Sequence, residues 1–537
     1  MQVQSLSVRT YPVGALPVVD HCLGRLGLRE LLAPYLPHPH YREALEWLVK
    51  SVLLQPNPLY RIHAWAQAFD PALRPRQPLG DDALGRALDR LFEADRASLL
   101  TALVVRALKT FAVQTQQIHN DSTSVKFAGA YEHQKARAVQ LRRGCSKDHR
   151  PDLKQLVYCL SVSADGAVPV HFKTYAGNQP DDPTHWETWQ CLGQILSRSD
   201  FLYVADSKLC VKATMLQIDQ AHGRFLTIMP RTRAEWNAFA EQTAAGQVRW
   251  QPLWQRRAVR KGHRRERFEV AAGPHQLAEG FALHWYRSSE KRPRDARDRQ
   301  QLLDAALRRL KGLNERRGRG PKTEPAVRRA AENILAHYHV GAWVHYQIKL
   351  VRKVQYTRQT RRRPLRQRVL KLVPLLRARK DPLALARAAS MDGTFPLVTN
   401  TKLSAREALQ KYKYQPHLEK RHFLSKSVLQ VAPVCLKSNT RIEALMFVNF
   451  IAALVAALIE RTLRQDMARR GLQALPILPE ARDSKTPSYA QILDTFAART
   501  KEQIYDQEQC IRTYVQPLTE LQQTVLKLLD IDGAVYR

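Results

Sequence analysis

The spacing of apolar residues changes near residue 113, and that change limits the folds open to this chain. Before it, apolar residues recur at three- and four-residue intervals in LVKSVLLQ, in DDALGRALDRLFEADRASLLTALVVRALKTF and around LGLRELLAPYL, which predicts helices. Asp81 and Asp82 stand where N-caps would, and Pro56, Pro58, Pro71, Pro75 and Pro78 separate the helices. After residue 113, the runs TQQIHND, LKQLVYCLSVSADG, VPVHFKTYAG, FLYVAD and RFLTIMP read as strands bounded by Asp, Gly or Pro. Asp165-Gly166 predicts a hairpin between two of them. HWETWQCLGQILSRS and KATMLQIDQAH read as helices between strands, so the expectation is a mixed sheet with flanking helices.

That pattern is interrupted by a strongly basic stretch. Residues 245–380 hold 36 Lys and Arg against 10 Asp and Glu, a net +26 out of the whole chain's +36. A field of that size is evidence for a polyanionic partner, because solubility alone needs far less charge. Strands are expected at RFEVAAG, FALHWYRSS and AWVHYQIKLVRKVQYT, with a helix at DARDRQQLLDAALRRLKGL. Trp250, Trp254, Trp285, Tyr286, Trp343, Tyr346 and Tyr356 are interleaved. Aromatics can stack on unpaired bases, but alternation within strands favours packing for most of them.

Strand patterning resumes at SMDGTFPLVTN, followed by a long helix from ARE through LSKSVLQ, an apolar helix, and a helical tail after Pro476. At 537 residues the chain is long enough for two to four domains. The expected organisation is a helical domain at 1–112 for DNA binding or dimerisation and an α/β core at 113–244. A basic β-rich insertion at 245–390 follows, then the second part of the core at 391–475 and a helical tail at 476–537.

Several classes are excluded. Seven scattered cysteines with no C-x-x-C pair argue against a disulfide framework or a zinc knuckle and fit a reducing cytoplasm. The start, MQVQSLSVRTYPVG, has no apolar leader region. Ala444–Ile459 falls about one turn short of a bilayer span and contains Asn449, so it reads as a buried core helix and no membrane is expected. There is neither a G-x-x-x-x-G-K-[ST] loop nor an H-E-x-x-H motif.

Three acids carry the candidate chemistry. Asp121 and Asp206 each end an apolar strand-like run, where a carboxylate would be held rigidly at a crevice. Glu419 lies seven residues after Tyr412 and seven before Lys426, so a continuous helix would present all three on one face, with Gln415 beside them. Pro416 is awkward in such a helix and predicts a start or kink near Gln415. Three such carboxylates are the minimum for gripping two Mg²⁺ ions, which take oxygen ligands and keep waters. Asp392 reads as a turn residue, and Lys147 and Arg150 are candidate DNA contacts near the first acid.

These features resemble the DDE transposases of bacterial insertion sequences, in the insertion-sequence-four-like branch whose third acid sits in a Y-x2-R-x3-E-x6-K helix. Tyr412, Glu419 and Lys426 fall in register with it, and Gln415 takes the arginine's place. GCSKDHRPDLKQ at 144–155, NDSTS at 120–124, YVADS at 203–207, DGTFPLVTN at 392–400 and LGDDALGRALDRLFEA are also similar to blocks of that group. The resemblance implies an α/β ribonuclease-H-like core interrupted by an insertion across the 213 residues between Asp206 and Glu419. It implies that Asp121, Asp206 and Glu419 ligate two Mg²⁺ ions, with Mn²⁺ as a substitute, and that Tyr412 and Lys426 contact phosphates. Glutamine cannot make arginine's charged bidentate contact, and Arg421 is the nearby replacement. The implied partners are double-stranded DNA with terminal inverted repeats, target DNA and a second copy of the chain, in the bacterial cytoplasm at the nucleoid. The alternatives are a non-catalytic nucleic-acid-binding protein and a nuclease that cuts without joining.

Overall fold

A computed structural model describes residues 6–144, 152–179, 184–256, 265–315, 323–356, 368–415, 418, 421, 436–506 and 508–537. The chain is mixed α/β and divides into two units. One comprises Met1–Thr227 with Gln410–Arg537, and the other Ile228–Leu409.

The first unit is built round one helix, Asn439–Arg469, which is apolar on every side from Ala444 to Ile459 apart from Asn449. A helix without a polar face must be enclosed. Its apolar window is long and hydropathic enough to cross a membrane, yet 94% of it is buried in the protein. It packs on the helices Pro39–Leu54, Asp81–Glu93 and Glu520–Leu529. Phe450 stacks on Phe172 at 4.9 Å between ring centroids, and Phe447 meets the same ring edge-on at 5.5 Å. The helices expected before residue 112 are Leu16–Leu26, Leu28–Leu32, Pro39–Leu54, Leu59–Gln67, Asp81–Glu93 and Arg96–Thr110. Asp81 and Asp82 are not caps. They occupy the first turn behind Gly80, where negative charge still suits the helix dipole.

Strand β1 (Leu6–Pro12) precedes these helices. The core sheet then contains β2 (Gln117–Phe127), β3 (Lys154–Ser163), β4 (Pro169–Ala176), β5 (Leu202–Ala205) and β6 (Arg224–Ile228). Their order is β4-β3-β2-β5-β6. The β4-β3-β2 part is antiparallel, and β5 and β6 run parallel to β2. The Asp165-Gly166 hairpin joins β3 to β4, with Gly166 at φ 81°. A Cβ there would stand 2.9 Å from the Arg461 side chain, so both the backbone angle and the contact require glycine.

The second unit contains β7 (Trp250–Gln255), β8 (Arg267–Ala271), β9 (His275–Gln276), β10 (Ala282–Ser288), the long ribbon β11 (Val344–Tyr356) and β12 (Arg368–Lys380), and β13 (Thr394–Thr399). β10 pairs antiparallel with β8, β9 and β13. Trp285 and Tyr286 are buried, so these aromatics pack, as alternation within the strand predicts. The expectation of a β-rich insertion needs correction. The helices Lys291–Glu315, Glu324–His337 and Pro382–Ser390 give this stretch as much helix as strand. The second buries only Val327, Ala331 and Leu335, spaced by four.

The C-terminal tail is likewise not wholly helical. β14 (Leu475–Leu478) pairs with β15 (Arg482–Ser484). β16 (Thr500–Asp506) lies between β1 and β17 (Gln509–Val515). A partner some 490 positions upstream leaves no local signature, and strand formation depends on its partners more than on propensity. Because the Phe450 side chain fills the junction of the central helix and β4, Phe450→Ala should destabilise the first unit by roughly 3–5 kcal/mol. A urea-unfolding midpoint unchanged from wild type would contradict this packing.

Candidate active site

β2 and β5 run parallel with Gln117 opposite Leu202, Ile118 opposite Tyr203 and His119 opposite Val204. Two residues further along each chain stand Asp121 and Asp206. Asp206 keeps an extended backbone, φ −71° and ψ −172°, so the side-chain alternation of β5 carries through to it. The two acids, 85 positions apart in sequence, therefore each follow by two residues the last paired positions of adjacent parallel strands.

The local settings differ. Asp121 was expected at a strand end, but it is the fifth residue of the eleven-residue β2 and opposes Leu160 of β3. Polar residues 119–124 continue the strand because β3 pairs along its whole length, so the acid does not mark a terminus. Its Oδ1 accepts from Ser122 N at 2.8 Å. Asp206 does end its strand. It caps the short turn Ser207–Leu209 through Oδ1, which accepts from Lys208 N at 3.0 Å, and its backbone carbonyl accepts from the Thr227 hydroxyl at 2.6 Å. Its side chain is 40% exposed.

A buried histidine backs Asp206. His185, on the helix Thr184–Leu196, has Nδ1 3.1 Å from the Tyr203 hydroxyl and Nε2 3.7 Å from Asp206 Oδ1. Burial pushes the Tyr203 phenol well above its ordinary pKa, so its hydroxyl stays protonated and can donate to Nδ1. That assignment leaves the proton of His185 on Nε2, facing the carboxylate. No sequence spacing marked His185, which becomes relevant only because its helix packs beside β5.

The segment before Glu419 is fastened to β2. The helix Ala405–Tyr412 ends there, and residues 413–415 form a turn. The expected continuous helix is therefore broken, because Pro416 has no N–H and its ring would clash with the Tyr412 carbonyl. Gln415 Oε1 lies 2.7 Å from His119 Nδ1, and Gln415 Nε2 donates to the Asn120 carbonyl at 3.2 Å. Gln117 Nε2 donates to the Lys411 carbonyl at 3.2 Å and approaches His119 Nε2 at 2.6 Å. With Gln117 donating, Nε2 accepts and Nδ1 carries the proton, so the amides fix one tautomer of a fully buried imidazole. The Tyr414 ring lies 5.2 Å from that of His119. Tyr412 is half-buried.

Gln415 thus sits on the strand that carries Asp121, in a position to fasten it. Arg421, expected at a phosphate, is 5% exposed and turned inward. It donates to the carbonyls of Ala167 and Gly166 at 3.1 Å each and to Glu460 at 2.6 Å. A guanidinium whose donors are committed to a buried carboxylate and a turn cannot also serve DNA. Asp392 is paired with Arg299 at 2.5 Å, in agreement with its reading as a turn residue. Glu419, Lys426, Lys147 and Arg150 lie outside the described residues. Among the described residues no three His, Cys, Asp or Glu side chains form a metal-holding group. Asp121 and Asp206 nonetheless offer the hard oxygen donors that Mg²⁺ prefers, one of them solvent-accessible.

No protein-family model matches the chain, and no curated protein matches it. Among solved structures it is similar to a piggyBac transposase synaptic complex with hairpin DNA. The identity is 6% and the TM-score 0.40, over 98% of this chain and 82% of that one.

The Gln415 contacts make a direct prediction. Gln415→Ala leaves the His119 Nδ1–H and the Asn120 carbonyl short of a partner, which should cost about 1–3 kcal/mol. Amide exchange in β2 should quicken to match, and unchanged protection of residues 118–122 would show that the turn does not hold the strand.

Proposed function

We propose that this chain is a DNA transposase whose carboxylates at 121, 206 and 419 hold two Mg²⁺ ions. One observation carries the reading: β2 and β5 pair in parallel up to His119 and Val204, two residues short of Asp121 and Asp206. The order of three antiparallel strands followed by two parallel ones supports treating the sheet as ribonuclease-H-like. The turn that leads toward Glu419 is bonded to the strand bearing Asp121, which supports a role for that acid at the same place.

When bound, such a metal pair activates an attacking oxygen and stabilises the leaving oxygen of a phosphodiester. The protein's own work is to hold the carboxylates still. β3 pairs with β2 at Asp121, and the turn at Ser207–Leu209 fixes Asp206. Tyr412 and Lys426 would contact phosphates near the cleaved end. The net charge of +36 supports a DNA partner. The reaction is hydrolysis at the 3′ ends of an element bearing terminal inverted repeats. The freed 3′-hydroxyls then attack target DNA, with each bond made balancing one broken and no external energy source. A second copy of the chain would let two ends be cut together.

Asp121→Asn, Asp206→Asn and Glu419→Gln should each lower Mg²⁺-dependent cleavage and strand joining on terminal-repeat DNA by on the order of 10³-fold, about 4 kcal/mol of barrier. Chelation of the metal should abolish both steps. Wild-type cleavage in any one variant would remove that residue from the metal site, and cleavage without joining would identify a nuclease.

A further inference from the structure

The ribbon formed by β11 and β12 has two unlike faces. Positions 344, 346 and 348 pair with 380, 378 and 376, and this face meets the helices Lys291–Glu315 and Glu324–His337. Val344, Leu376, Leu303, Leu310, Val327 and Leu335 form a shared core there. The opposite face contains Lys349, Lys353, Arg377 and Arg379, all exposed. From Val344 to Lys380 the sequence has no Asp or Glu. None of these four cations has an acidic partner among the described residues, although ion pairs are common elsewhere in the unit, as at Arg233–Glu235, Arg287–Glu269 and Arg387–Glu241.

We infer that this cationic face of the ribbon binds duplex DNA through its phosphates, without regard to sequence. The inference rests on the transposase reading for its partner, and adds where on the chain the duplex is held. Charge complementarity selects the occupant: four exposed cations on one face, whose neighbouring acid Asp381 is already held by His345, suit a polyanion and repel another copy of the same face. The dimensions agree. Two strands about 4.8 Å apart make a ribbon that a B-DNA major groove, about 12 Å wide, admits. From Arg379, opposite His345, to Lys353 the cations extend over eight residues of β11, roughly 26 Å, enough to meet several phosphates. The anchored face explains why the ribbon can bear load: its inner half is cemented to two helices, so little ordering entropy is spent on binding.

Fluorescence anisotropy of the full-length protein on a random-sequence 30-base-pair duplex, titrated with salt, tests this. The combined Lys349→Gln, Lys353→Gln, Arg377→Gln, Arg379→Gln variant should reduce the slope of log affinity against log salt by about 3–4. A control with Lys109, Lys485, Arg512 and Arg537 changed to Gln should keep the wild-type slope. A wild-type slope in the ribbon variant would overturn the inference. The outer half of the other face exposes Leu350, Val354, Leu370 and Leu372. If Leu350→Ser with Leu372→Ser dissociates a dimer in sedimentation while the ribbon variant binds DNA normally, the ribbon is a self-association element and the inference falls. Asp121→Asn separates the two readings. It should bind with the wild-type slope yet not cut, so loss of the metal-site reading leaves the ribbon result standing.

Discussion

Enclosure of the helix Asn439–Arg469 is the constraint on which the first unit depends. Its sequence offers no polar face, so other elements must cover every side. The helices Pro39–Leu54, Asp81–Glu93 and Glu520–Leu529 and strand β4 do so, although they come from opposite ends of the polypeptide. Charges flank its apolar run, Arg441 and Glu443 before it and Glu460 and Arg461 after it, and the latter two are buried. Arg461 donates to the Phe111 and Ala112 carbonyls and to Asp165, while Glu460 accepts from Arg421 and from the Tyr489 backbone. Burying charge is costly without such partners, so these contacts fix orientation more than they add stability.

The same charges connect the core to the candidate site. Arg421 and Arg461 grip the Asp165–Ala167 turn, which sets the hairpin β3–β4 against the helix. β3 in turn pairs with the whole length of β2 and holds Asp121 in mid-strand. On the far side, β2 pairs in parallel with β5, the strand that leads into Asp206. His119, Gln117 and Gln415 then tie the 411–415 turn to the strand by hydrogen bonds among buried or half-buried groups. A mid-strand acid flanked by paired neighbours is held more firmly than one on a loop, which suits a group meant to keep a fixed geometry.

Much of this was legible locally. Apolar spacing located the helices before residue 112, β-branched runs located β2 to β6, and Asp165-Gly166 located a hairpin, because each signal lies within a few residues of the element it specifies. Pro416 marked the break after Tyr412 for the same reason. What escaped was non-local. Arg421 looked available as a surface cation until the Glu460 carboxylate, 39 positions on, took it inward. The strands β16 and β17 looked like part of a helical tail because β1, their organiser, lies at the other end of the chain. His185 had no motif to betray it.

The sequence by itself determined the alternation of elements, the concentration of positive charge in residues 245–380, and the identity of the acids, since these follow from periodicity, composition and side-chain chemistry. Only the tertiary structure decided which of those groups share a surface. Strand order and register are settled by long-range pairing and by how an all-apolar helix is covered, and neither is encoded within any short window of residues. So the strand of Asp121 came to pair with the strand that leads into Asp206, Gln415 came to bond β2, and Arg421 was drawn into the core.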